Sequence, residues 1–131
     1  MILVDTSVWI EYDRASGSYA DLALRSLIRA GEPIACTEPV LMEVLAGARD
    51  VFALARLRKV LTSFGWIALD PETDFEGAAT VFRSCRRVGI TPRGLVDCMV
   101  ATIALRTDAA LLGVDRDFSQ IAGVLPLRLH P

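Results

Sequence analysis

At 131 residues the chain has room for one domain, residues 1–131, with a full hydrophobic core. A hydrophobic content of 53% and a mean hydropathy of +0.42 exclude a disordered chain, and point to elements covered on both faces or to an apolar surface that a partner covers. A formal charge of −2 speaks against nucleic-acid binding through bulk positive charge.

In chain order, the apolar run Ile2-Leu3-Val4 reads as a short strand buried on both faces, stopped abruptly by Asp5-Thr6-Ser7. A helix follows from Val8-Trp9-Ile10. Ser18 with Asp21 resembles a capping box, opening a helix through Leu22, Leu24, Leu27 and Ile28 that Gly31 stops. Pro33–Cys36 is a second strand. Thr37 caps the next helix, which carries Pro39 in its first turn, an apolar stripe through Val40, Leu41, Val44, Leu45 and Ala48, and Glu43 at the stripe's margin.

Helical spacing resumes from Val51 to Phe64, and Trp66–Leu69 is a third strand ending at Asp70-Pro71. Phe75, Ala78, Ala79, Phe82 and Cys85 mark a helix closed by Gly89. The stretch from Leu95 to Arg106 is apolar almost all round. Ala110–Val114 is a fourth strand running into Asp115-Arg116-Asp117-Phe118, and after a helical turn Leu125–Leu129 is a fifth. Strands alternating with helices imply an α/β fold with a parallel sheet covered on both faces.

The apolar stretch from Leu95 to Leu105 is broken by Asp97 and too short to cross a bilayer, and no basic segment precedes the apolar N-terminus as in a signal peptide. Cys36, Cys85 and Cys98 are odd in number and lack paired spacing, which argues against a disulfide framework and against zinc. The expected compartment is the cytoplasm, with no membrane partner.

The acids carry the chemistry. Asp5 sits at the carboxyl end of a strand, the edge where parallel sheets bind ligands, although Asp is also a preferred helix cap. At about 100° per residue, Asp97 shares a helix face with Val100, Ala101 and Ala104, where a carboxylate is costly unless paired, hydrogen-bonded or metal-bound. No basic residue lies one turn away. The plainer account of Asp97 is a first-turn acid favoured by the helix dipole. Glu43 alone reads as a solvated side chain, and Asp115 with Asp117 as a polar turn. Taken together, two strand-end acids and one acid on an apolar face are hard to explain by solubility.

Clustered carboxylates without a cationic side chain suit hard divalent cations such as Mg²⁺ or Mn²⁺. Other chemistries find little support. The single histidine, His130, is next to last, and no glycine-rich phosphate loop is present. A phosphoacceptor receiver domain would want a lysine late in the chain, and the only lysine is Lys59.

Asp-Thr-Ser at residues 5–7, Glu43 within Glu-Val-Leu-Ala-Gly, Asp97 opening Asp-Cys-Met-Val-Ala, and Asp115-Arg-Asp-Phe, in this order and spacing, resemble the PIN-domain family, and within it the VapC toxins of bacterial toxin-antitoxin pairs. The resemblance spans essentially the whole chain. It implies a three-layer α/β/α sandwich around a parallel sheet and a metal-dependent endoribonuclease, inhibited by a cognate VapB-like antitoxin and acting as a homodimer. Its substrate would be an RNA such as a tRNA or rRNA. By the same resemblance Asp5, Glu43, Asp97 and Asp115 match the catalytic and Mg²⁺- or Mn²⁺-binding acids, Asp117 an accessory ligand, and Thr6 or Ser7 the hydroxyl near the metal. One departure is Gly113-Val114, where many relatives carry a polar residue before the aspartate.

Setting aside those four acids from 16 leaves 12 against 14 basic residues, so the remaining surface is slightly cationic. Arg83, Arg86, Arg87 and Arg93 lie shortly before Asp97 and are candidate contacts to RNA phosphates, while the first three also suit a helix C-terminus. Two rivals remain open at this stage: a PIN-like nuclease of RNA processing or of DNA, and a scaffold that binds RNA or protein without cleaving it. An antitoxin helix is expected in an exposed apolar groove near Trp9 or Tyr12, extending a basic side chain into the acids.

Overall fold

Ile2–Val4 (β1) lies at the centre of a four-stranded parallel sheet ordered β3-β2-β1-β4, in a computed structural model that describes residues 1–131. Its partners are β2 (Ile34–Cys36) and β4 (Ala110–Leu112), and β3 (Gly65–Trp66) pairs with β2 at the edge. The register sets Leu3 opposite Ala35 and Leu111, all fully buried, which is why β1 carries no polar residue before Asp5. Parallel strands need crossovers, supplied by α1 (Thr6–Arg14), α2 (Tyr19–Arg29), α3 (Glu38–Ala46), α4 (Val51–Leu61), α5 (Asp74–Arg87) and α6 (Leu95–Thr107); α7 (Arg116–Ala122) follows β4. The helices flank the sheet on both faces, giving the α/β/α layering expected from the alternation of elements. No helix is long and apolar enough to cross a membrane.

Several expectations are corrected. The segment Leu125–Leu129 is not a fifth strand: it touches the sheet through a single bridge, Leu111 to Leu129, because Pro126 has no N–H to donate and Leu127 N–H turns back to the Leu125 carbonyl. The third strand is displaced to Gly65–Trp66, although Ile67 N–H still reaches the Cys36 carbonyl at 2.9 Å. Gly65 is needed there, since a Cβ would stand 2.7 Å from the Ile34 carbonyl oxygen. Helix α4 ends at Leu61, short of Phe64.

Ser18 does cap α2 through Asp21 N–H, but Asp21 returns its carboxylate to Gly17 N–H and to Arg25, and Leu22 is exposed. Thr37 occupies the cap position of α3 without a capping bond, its hydroxyl lying instead on Glu38. Trp9 is fully buried, donating Nε1–H to the Val4 carbonyl at 3.1 Å and packing on Tyr12 and Phe64; it lines no exposed groove, and Tyr12 is covered by the Arg25 guanidinium.

One buried ion pair joins α5 to α6. Asp74, fully buried at the start of α5, receives Arg106 of α6 in a fork at 2.8 and 2.9 Å. Burial pushes the Asp74 carboxyl up, but the bonds from Arg106 and from Asp70 N–H prevail and hold it below the ordinary carboxylate value. The contact between these helices is close, since a Cβ on Gly77 would stand 2.5 Å from Thr102 Cγ2.

Candidate metal centre

Three chain segments deliver the acids to the carboxyl edge of the sheet. Asp5 follows β1 directly, Asp115 follows β4 after Gly113-Val114, and the first turns of α6 bring Asp97 between them. Glu43 reaches in from the middle of α3. Single carboxylate oxygens of Asp5, Glu43 and Asp97 lie within 4.8 Å of one another, and those of Asp97, Asp115 and Asp117 do the same, so Asp97 is shared by two groups of three. All five acids named from the sequence are thus brought together.

Asp5 is 3% exposed, and its Oδ1 is buried with no hydrogen-bond partner. Its Oδ2 accepts the Ser7 hydroxyl at 3.2 Å. The side chain does not cap α1, so the simple capping account fails at this position. Burial raises the Asp5 carboxyl from its ordinary value to about 6, against the hydrogen bond from Thr6 N–H and with a further push from the Glu43 charge. Thr6 donates its hydroxyl to Glu43 Oε1 at 2.7 Å, so Glu43 is held rather than merely solvated. The two candidate hydroxyls therefore orient the carboxylates on either side of the pocket.

Asp97 points, as its helical spacing implies, to the side of the buried Val100, Ala101 and Ala104. Although it stands in the first turn of α6, where the helix dipole favours a carboxylate, its carboxyl rises to about 8. Burial is the largest cause, followed by a carboxyl-to-carboxylate hydrogen bond with Asp117 and the charges of Asp5, Asp115 and Asp117. Asp115 caps α7 by accepting Asp117 N–H at 2.8 Å, so it serves as a cap and faces the pocket at once. Asp117, 2% exposed, accepts Arg93 N–H at 2.9 Å and Gly94 N–H at 3.3 Å, tying α7 to the entry of α6.

The acids are not without a cation, as the sequence suggested. Arg93, just ahead of α6, sets its guanidinium 3.6 Å from Asp115 and 3.9 Å from Asp117 while its side chain stays mostly exposed. Arg83, Arg86 and Arg87 line a separate surface depression at the end of α5, where Arg86 stacks over Phe82, and none of the three lines the acidic pocket. His130 donates its backbone N–H to Leu111 and lies outside the pocket as well.

Gly113 accounts for the departure before Asp115. A Cβ there would stand 2.8 and 3.1 Å from Phe118 ring carbons and 3.4 Å from Asp5 Cβ, so the glycine lets β4 close over both. Neither this requirement nor the Asp117 tether could be found from the one-dimensional pattern, because both depend on which strand lies beside β1.

The pocket fits a hard divalent cation. Its donors are carboxylate oxygens, one of them buried without a partner, and their mutual repulsion is offset by one peripheral guanidinium only.

Residues 2–124 match the PIN domain family. Ribonuclease VapC11 of Mycobacterium tuberculosis is 39% identical over 129 residues, which cover 98% of this chain and 96% of that protein. Among solved structures, the fold is similar to VapBC2 from Rickettsia felis bound to a DNA fragment from their promoter, with a TM-score of 0.77 at 16% identity over 99% of this chain and 98% of that one. It is also similar to VapC20 of Mycobacterium tuberculosis, described as a sarcin-ricin loop cleaving toxin, with a TM-score of 0.69 at 18% identity over 98% and 99%. With its acids gathered at one sheet edge and its likeness to VapC11 running almost end to end, the chain belongs to the PIN-domain family, among the VapC ribonucleases.

Proposed function

We propose that this chain is a divalent-metal-dependent endoribonuclease toxin that hydrolyses RNA phosphodiester bonds and is silenced by a cognate VapB-like antitoxin. The observation that carries this reading is the pair of carboxylate groups meeting at Asp97, with the Asp5 Oδ1 buried and unpartnered. Asp5, Glu43 and Asp97 would hold Mg²⁺ or Mn²⁺, with Asp115 and Asp117 on the far side. A bound divalent cation supplies Lewis acidity, which makes water a stronger nucleophile and steadies the leaving oxygen.

The protein's own part is orientation and charge. Ser7 and Thr6 hold the Asp5 and Glu43 carboxylates, and Arg93 stands at the rim where an RNA phosphate would arrive. Arg83, Arg86 and Arg87 extend a cationic surface suited to the backbone of a folded RNA. An RNA such as a tRNA or rRNA is the substrate class this reading carries, with the cytoplasm as the place of action; the sarcin-ricin loop is the target named for VapC20, a protein of similar fold.

Two surface hollows suit protein partners. A groove of about 550 Å³ between α3, α5 and α6, lined by Met42, Phe75, Leu95 and Met99 among others, suits a second copy of the chain. A VapB-like antitoxin, as in the VapBC2 complex from Rickettsia felis, suits a hollow beside α1, α3 and α4 where Ile10, Val44, Ala48 and Leu57 meet Arg14, Arg49 and Arg56.

The test is cleavage of total RNA by the purified protein with Mg²⁺, with excess chelator, and with Asp5→Asn. Cleavage is expected in the first case only, the substitution lowering the rate by about 10²-fold or more. Equal cleavage in chelator, or by Asp5→Asn, would remove the reading. Equal activity on a DNA control would favour a general nuclease.

A further inference from the structure

The two carboxylate groups that share Asp97 are chemically unequal. Around Asp5, Glu43 and Asp97 no guanidinium or ammonium comes within ion-pair distance, and the Asp5 Oδ1 is buried without a donor. Across Asp97 the position is reversed. Asp115 Oδ1 accepts Asp117 N–H and faces Arg93 Nη2 at 3.6 Å, while Asp117 accepts two backbone N–H groups and faces Arg93 Nε at 3.9 Å. One half of the centre has the Ser7 and Thr6 hydroxyls on its oxygens and no cation, and the other already has a cation and three amides.

Arg93 is also built to move. Its backbone is fixed by the Asp117 carboxylate, but its side chain is 74% exposed and stands at the rim of the acidic pocket. Its guanidinium can therefore leave the carboxylates without opening the core, and a phosphate is a matched, bidentate acceptor for it.

We propose that Arg93 is an internal counter-ion that makes Asp5, Glu43 and Asp97 the high-affinity half of the centre and keeps a second cation from Asp115 and Asp117 until an RNA phosphate takes over its guanidinium. This rests on the functional reading above, but is tested without cleavage. Mn²⁺ binding to the full chain is followed by calorimetry and by the electron paramagnetic resonance of free Mn²⁺. Wild type should bind one ion tightly and a second weakly. Arg93→Ala should tighten the second by about tenfold or more, since a unit charge at this range is worth at least that factor to a divalent ion. Arg93→Lys should resemble wild type. Asp5→Asn should lose the tight ion, and Asp115→Asn should keep it.

On the substrate side, RNA binding in Ca²⁺ should weaken in Arg93→Ala, its log K against log salt slope falling by about one. Equal second-ion affinity in wild type and Arg93→Ala overturns the proposal, as does an unchanged salt slope. Absence of any Mn²⁺ binding overturns it together with the functional reading, whereas RNA cleavage with unaltered ion stoichiometry overturns it alone. Far-UV dichroism of each variant shows that the fold persists, which the exposure of Arg93 leads one to expect.

Discussion

The Thr6 hydroxyl donates to Glu43 Oε1 at 2.7 Å, joining the first residue of α1 to the middle of α3 across 37 positions of sequence. Of the acids, Glu43 alone comes from α3, so this bond decides where its carboxylate stands relative to Asp5. Thr6→Val keeps the shape of the side chain and removes the donor. The expected result is a loss of about 10- to 100-fold in Mn²⁺ affinity, measured by titration, with a stability change of only about 1 kcal/mol. Unaltered affinity would mean that Glu43 is placed by α3 alone.

Stability of the metal-free protein should rise as pH falls from about 9 to 5. Asp5 and Asp97 are both raised in the fold, to about 6 and about 8, above the ordinary 3.8. A raised carboxyl contributes stability that is complete below the unfolded value and is lost as pH climbs through the folded value. For Asp5 the loss is on the order of 3 kcal/mol. Below about pH 4 the trend should reverse, because Asp74, Asp21 and Glu38 are held low in the fold and lose their bonds on protonation. Asp97→Asn should raise the melting temperature at pH 8 without metal, and Mg²⁺ should stabilise wild type more than the variant. Thermal melts across pH, with and without Mg²⁺, check both. Identical curves for the two proteins would count against a shared acidic site.

The cleaved ends are expected to be a 5′-phosphate and a 3′-hydroxyl. Attack by the neighbouring ribose 2′-hydroxyl is commonly assisted by a histidine, and His130 lies outside the pocket. Primary products ending in 2′,3′-cyclic phosphate, detected by end-labelling, would contradict this.

Gly113→Ala should cost about 1–3 kcal/mol, because the new Cβ meets the Phe118 ring while the backbone of β4 is held by β1. Metal affinity should fall with stability, since Asp5 Cβ lies on the other side of the same glycine. A denaturation curve with an unchanged midpoint would show that Phe118 moves aside freely.

A toxin of this kind must be held silent. An antitoxin that reaches the acids with an Arg or Lys would pair with carboxylates that have only Arg93 beside them. Replacing that antitoxin residue by Ala should weaken inhibition more than binding, because the apolar contacts remain. Equal losses in an inhibition assay and a binding titration would refute the arrangement.

The run Ile2–Val4 ending at Asp5 announces a buried strand and an acid at its carboxyl edge, because the period of burial and the abrupt change to polar residues are both local. The same holds for Asp97 on the apolar side of α6, for the helix stops at Gly31 and Gly89, which adopt positive φ, and for the family motifs. What the sequence by itself determined was therefore the class of fold and the roster of acids.

Only the tertiary structure decided how those acids are shared and paired. Residues 5, 43, 97 and 115 meet because β4 lies beside β1 and α3 leans over that edge. Arg93 enters the cluster from a loop whose backbone is pinned by Asp117, a contact across 24 positions. The buried pair of Asp74 and Arg106, the enclosure of Trp9 and the reduction of Leu125–Leu129 to one bridge likewise depend on which surfaces are pressed together. A side chain's partner is chosen by distance in space, and hydrophobic period records only which way it faces.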